Sequence, residues 1–134
     1  MTAPLQAARA AIGARFRLHG RAPESGLDCV GVAALAARAG GVEAAVPSGY
    51  ALRTADAAAV IARLDAVLPR IGSPEPGDLL LFEPGPAQLH LAVLSEAGII
   101  HADAMLRRVV ERPGPAPWPL LGAWRLAPRP SLLP

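Results

Sequence analysis

Apolar positions recur at helical spacing in the first half of the chain and as short runs or alternations in the second. In residues 5–12 (LQAARAAI), Leu5, Ala8 and Ile12 fall on one face, which predicts a first helix ended by Gly13. Residues 14–27 carry Gly20, Pro23 and Gly26 and read as irregular. Residues 29–39 (CVGVAALAARA) form the clearest helix, with Asp28 at the N-cap position and Gly40-Gly41 offering a left-handed stop. Residues 42–53 read as loop, with Pro47 and Gly49. Thr54 stands as the cap of another helix over 55–68, whose apolar stripe is Val60, Ile61, Leu64, Val67 and Leu68; Pro69 ends it.

Beyond Pro74-Glu75-Pro76-Gly77 the period changes. Residues 78–82 (DLLLF) read as a short buried strand, and Glu83-Pro84-Gly85-Pro86 as a turn. Residues 90–95 (HLAVLS) and 99–102 (IIHA) read as a hairpin around Glu96-Ala97-Gly98. Further strands are expected over 107–112 and 122–126. Helices first and strands last predict an α+β class, with N-terminal helices packed on one side of a C-terminal antiparallel sheet. At 134 residues the chain has the length of one domain, expected over 1–126, followed by a Pro-rich tail over 127–134.

Composition narrows the picture. Hydrophobic residues make up 52% of the chain but aromatics only 4%, so the core is expected to be packed closely from small side chains. All 13 basic residues are Arg, scattered along the chain, and the net charge of +2 is too small to argue for nucleic acid. No apolar run is long enough to span a membrane. The first twelve residues contain Arg9 and no continuous apolar stretch, so no signal peptide is expected and synthesis in the cytoplasm is. A single cysteine excludes an internal disulfide.

That cysteine, Cys29, stands where a helix dipole favours a thiolate, a good place for a nucleophile. A nucleophilic thiol needs a base, and the base an orienting partner. His90 begins one hairpin strand and His101 lies near the end of the next. With an even-numbered loop, Leu94 pairs with Ile99 and Ala92 with His101. The two histidines then share a face at roughly 7–8 Å between Cα atoms, within reach of each other's rings. An odd-numbered loop would put them on opposite faces. Cys29, His90 and His101 would also make three ligands for zinc, although their spacing matches no common zinc motif.

These fragments together resemble the NlpC/P60 peptidases over residues 7–112. The residues that carry the resemblance are Ile12-Gly13-Ala14-Arg15-Phe16-Arg17-Leu18-His19-Gly20, Leu27-Asp28-Cys29-Val30-Gly31, Pro76-Gly77-Asp78-Leu79-Leu80-Leu81-Phe82, His90-Leu91-Ala92-Val93 and Ile100-His101-Ala102. The resemblance implies a papain-like α+β fold without a cofactor. It implies Cys29 as nucleophile, His90 as general base and acid, and His101 as the residue orienting His90. The implied substrate is a peptidoglycan stem peptide, cut through an acyl-enzyme, often between γ-D-Glu and a diamino acid. The compact form looks most like variants of phage tails and gene transfer agents, which implies tail or baseplate partners, a virion-associated location and action on the bacterial cell wall. A structural tail component that keeps the fold without activity is the alternative, and amidase or acyltransfer chemistry by the same residues is another.

The sequence departs from the family pattern at two site positions. Val30 stands where the family has a Ser that helps recognise substrate, and Phe16 where it has a Tyr whose hydroxyl lies near the nucleophile. Phe donates no hydrogen bond, so an oxyanion would rely on backbone amides such as the N–H of Cys29. His19 either substitutes for that donor or is a solvent-exposed loop residue. Asp28 either caps its helix alone or also holds the substrate's free amine, and Asp78 is expected to fix the turn before its strand.

Overall fold

The computed structural model describes residues 1–42 and 56–127. The expected loop, the Thr54 cap and nearly all of the Pro-rich tail lie outside them.

Helix α1 (Ala3–Ala10) begins earlier than expected because Thr2 caps it, its side chain accepting from the N–H of Leu5 at 3.3 Å, with Pro4 in the first turn. Leu5 and Ala8 turn inward, and Gly13 follows with a φ of 93°. The stretch expected to be irregular contains a two-stranded ribbon, β1 (Arg21–Ala22) and β2 (Gly26–Leu27). Helix α2 (Cys29–Ala39) is buried on nearly all sides, through Val30, Gly31, Val32, Ala33, Ala36 and Ala37. Its left-handed stop is Gly41 at φ 85°, whereas Gly40 at −81° continues the ordinary backbone. Helix α3 (Ala57–Val67) is capped by Asp56, which accepts from the N–H of Ala59 at 3.0 Å. It ends one residue before Leu68, which is already extended.

The main sheet comprises β3 (Leu79–Phe82), β4 (His90–Leu94), β5 (Gly98–Asp103), β6 (Arg108–Pro113) and β7 (Leu120–Trp124). Its order is β6-β5-β4-β3-β7, antiparallel throughout, so the last strand returns to lie beside the first. Leu79, Leu81, Leu91, Val93, Ile100, Ala102 and Val109 pack with the three helices in one core. Leu80, Phe82, Ala92, Ile99 and Ala123 form a second core on the other face, under Ile71, Ala116 and Trp118. Burial on both faces explains why β3 reads as an unbroken apolar run rather than an alternation.

Each outer strand is bonded to a neighbouring segment. Val109 of β6 exchanges two 2.8 Å backbone hydrogen bonds with Gly13 and Ala14, and the N–H of Phe16 donates to Arg107 at 2.9 Å. Beside β7, the N–H of Ile71 donates to Ala123, and that of Arg125 to Pro69, both at 2.9 Å. Asp78 is buried and holds the turn into β3, accepting from the N–H of Glu75 at 2.6 Å and from Arg125 Nε at 3.3 Å.

One glycine fixes how closely α2 can approach the loop that precedes it. A Cβ on Gly31 would collide with the backbone carbonyl oxygen of Gly20. Forcing backbone apart costs up to about 3 kcal/mol, against about 1 kcal/mol gained in helix propensity. Gly31→Ala is therefore expected to destabilise the chain by about 2 kcal/mol, read as a lowered urea midpoint. An unchanged midpoint would mean that the loop yields without cost.

Candidate active site

Cys29 is the first residue of α2 and is half-buried. The preceding Asp28 is 5% exposed, and its carboxylate is almost saturated. Oδ1 accepts from the N–H of Gly31 and from the Arg21 guanidinium, and Oδ2 from the N–H of His19, all at 2.8 Å. Asp28 thus ties the ribbon, the loop and the start of α2 together while lining the cavity described below.

His90 opens β4 opposite Phe82 of β3. Between β4 and β5, Leu94 pairs with Ile99 and Val93 with Ile100. Ser95 and Gly98 close the turn, the N–H of Ser95 donating to the Gly98 carbonyl at 2.9 Å and the N–H of Gly98 to Ser95 Oγ at 3.0 Å. The connection is the even-numbered one. His90 and His101 therefore share a face, and His90 Nε2 lies 2.8 Å from His101 Nδ1. This pairing leaves Nδ1 of His90 as the ring nitrogen outside the bond. His101 is buried, and its Nε2 is enclosed, with no hydrogen-bond partner among the described residues.

A cavity of about 830 Å³ joins these elements, lined by Phe16, Leu18, Cys29, His90, His101 and Trp118 among others. Val30 also reaches it. His19 does not: its side chain is exposed, its φ is 64°, and its contribution is the backbone N–H given to Asp28. Sequence reasoning missed Trp118 and Arg112. The Trp118 ring stands edge-to-face with Phe82, His90 and His101, at centroid distances of 5.6, 5.4 and 5.7 Å. The Arg112 guanidinium lies 5.9 Å from its centre. No local signal marks Trp118, which stands just before β7, the strand that pairs with β3.

Burial drives the thiol and both imidazoles of the site toward their uncharged forms. Burial pushes the Cys29 thiol up to about 11, with the Asp28 charge adding to the rise; the backbone N–H groups of Leu91 and Val30 act against it without prevailing. The thiolate expected at a helix N-terminus is thus outweighed by desolvation. Burial pushes His90 down to about 4, reinforced by His101 and opposed by Asp103. His101 is lowered by burial too, against Asp103 and with Arg112. At neutral pH the proton sits on sulfur and both imidazoles are uncharged.

These shifts fix a pH window for stability. Below pH 6.5 the unfolded chain takes up protons that folded His90 refuses, so stability is lost as the pH falls from 6.5 toward 4, by at most about 3 kcal/mol. Above pH 9 the unfolded chain releases a thiol proton that folded Cys29 retains, so stability is lost as the pH rises from 9 toward 11. Urea unfolding of wild type and His90→Asn at pH 4.5 and 7.5 checks the acid side. Wild type should lose more stability between these values than the variant, and equal losses would contradict the assignment.

Among the described residues, no group of three or more His, Cys, Asp or Glu side chains is arranged to hold a metal ion, and no helix is long and apolar enough to cross a membrane. Two ring nitrogens of the histidines face each other rather than a common point.

No family model and no curated protein matches the sequence. Among solved structures, the crystal structure of the P60 domain of an antigen from M. avium subspecies paratuberculosis is similar, with a TM-score of 0.63 and 18% identity, over 94% of this chain and 93% of that one. Among the described residues, three helices lie against a five-stranded antiparallel sheet, and this α+β arrangement, which superposes on that domain along nearly its whole length, gives the chain the P60 fold.

Proposed function

We propose that the chain is a cysteine peptidase that hydrolyses amide bonds in peptidoglycan stem peptides. The observation that carries this reading is one cavity lined both by a helix-leading cysteine and by a hydrogen-bonded histidine pair, on the fold of a P60 domain. Cys29 Sγ attacks the scissile carbonyl carbon while its proton passes to Nδ1 of His90, and His101 holds His90 from the far side. The oxyanion is met by backbone amides, including that of Cys29, since Phe16 offers no hydroxyl. As the C–N bond breaks, His90 returns the proton to the leaving amine. Water then gives a proton to His90 and its oxygen to the acyl carbon, releasing the acid and the thiol. The sequence resemblance supports stem peptides as substrate, and with it a place among phage-like tail or baseplate proteins acting on the cell wall.

The test is incubation of the purified chain, and of Cys29→Ser, with muropeptides of defined stem composition, followed by mass spectrometry. A new fragment ending in the free amine of the diamino acid, absent with Cys29→Ser, is the expected result. Intact muropeptides after long incubation would overturn the reading. They would favour the second one, a structural module with an inert thiol, for which the raised Cys29 and the Phe16 substitution speak.

A further inference from the structure

We propose that Arg112 is a specificity-determining residue of this site, its guanidinium holding a substrate carboxylate next to the bond that is cut. The identity of the substrate rests on the hydrolase reading; the binding of a carboxylate does not require that the chain cut anything.

The sheet brings Arg112 to the histidines. Strands β5 and β6 pair Ile99 with Arg112 and His101 with Val110. Residues two apart on a strand share a face, so Arg112 is the diagonal neighbour of His101, at roughly 7–8 Å between Cα atoms in a regular sheet. Arg112 lines the cavity that Cys29, His90 and His101 also line. Its charge is felt at His101, where it opposes protonation.

Three residues with a fixed charge line that cavity: Asp28, Asp103 and Arg112. Asp28 is taken up by Arg21 and by the N–H groups of Gly31 and His19. Asp103 accepts through Oδ1 from the N–H groups of Met105 and Leu106, at 2.8 and 3.0 Å, and stands opposite Arg108 on β6. Arg112 differs from both. Among the described residues it enters no ion pair and donates no side-chain hydrogen bond. Its Cζ lies over the Trp118 ring at 5.9 Å, a contact that locates the charge without giving its N–H groups an oxygen. The cavity thus contains one cation whose donors meet no acceptor of the protein, between apolar walls that include Phe16, Val30 and Leu89.

A guanidinium presents a planar fork of N–H groups that matches the two oxygens of a carboxylate. A stem peptide joined through the γ-carboxyl of Glu keeps the α-carboxylate of that residue free on one side of the scissile bond. A C-terminal diamino acid carries its own carboxylate on the other. Both lie within a few bonds of the carbonyl carbon that Cys29 attacks, so either can reach a cation beside the histidine pair.

The experiment measures binding of the tripeptide Ala-γ-D-Glu-Lys to Cys29→Ser by calorimetry, and its hydrolysis by wild type. Two further peptides carry a carboxamide in place of the Glu α-carboxylate or of the Lys carboxylate. One of the two amides should bind about tenfold more weakly than the free acid, which tells which carboxylate Arg112 takes. Arg112→Gln, combined with Cys29→Ser, should bind the acid as weakly as that amide, and Arg112→Lys should recover part of the difference. Equal binding of all three peptides, or no binding of any, would overturn the proposal whatever the variants do. So would a preference for the acid that persists in Arg112→Gln. If the preference is present and depends on Arg112 while wild type cuts none of the peptides, the hydrolase reading fails and the carboxylate site stands.

Discussion

His90→Ala is expected to slow stem-peptide hydrolysis by about 10³- to 10⁴-fold, the loss that follows removal of a general base on which a nucleophile depends. At rest, burial favours the uncharged thiol and the uncharged imidazole. With the thiol held up at about 11 and the imidazole down at about 4, there is no standing thiolate to attack by itself at pH 7. In the proposed mechanism proton transfer from Sγ accompanies attack, with His90 as the partner through which it passes. The low value also means that His90 is in its base form across the whole neutral range, so activity should not fall as the pH drops from 7.5 to 6. The variant leaves a space the size of an imidazole, and added imidazole should restore part of the rate while leaving Cys29→Ala silent. A loss of less than tenfold in His90→Ala would show that the thiol finds another base.

The second large effect concerns Asp28, where stability and reactivity are expected to move in opposite directions. Asp28→Ala strands the N–H groups of Gly31 and His19 and leaves Arg21 without its buried partner. Losing the cap costs about 1 kcal/mol, and a buried donor without a partner costs about 1–3 kcal/mol more. A net loss of about 3 kcal/mol in urea unfolding is expected. Asp28→Asn keeps one oxygen for the helix and should lose about half as much. The same carboxylate raises the Cys29 thiol through its charge, so the Asn variant should make the thiol more acidic and speed its alkylation by iodoacetamide at pH 8. A variant both less stable and less reactive would show that Asp28 serves the cysteine by placement rather than by charge.

What could be read from the sequence was what depends on neighbours along the chain. The helix at Cys29, its Asp28 cap and the β3 run follow from local pattern, and the facing of His90 and His101 follows from parity in a short hairpin. Thr2 and Asp56 were missed as caps because alanine-rich flanks blur where each helix begins. The β1–β2 ribbon is too short to show an alternation. Gly31 read as an ordinary helix residue, since only the approach of the Gly20 carbonyl demands it. Trp118 is the clearest case: its meaning depends on the last strand returning to the first, an order of strands that no window of sequence contains. The resting charge of the site was likewise hidden, because helix position favours the thiolate and only the depth of burial reverses that preference.

The segments that bond to the two outer strands bear on how this domain can assemble with others. An uncovered strand edge invites a foreign strand to extend the sheet. Here residues 13–16 occupy the start of β6 and residues 69–71 run beside β7, while the remainder of β6 presents Glu111, Arg112 and Pro113, residues that discourage pairing. Incorporation into a larger particle would therefore use side-chain surfaces, with the domain docking as a finished block. The segment that closes β6 also carries Phe16 into the cavity, so prying that edge open would dismantle one wall of the site.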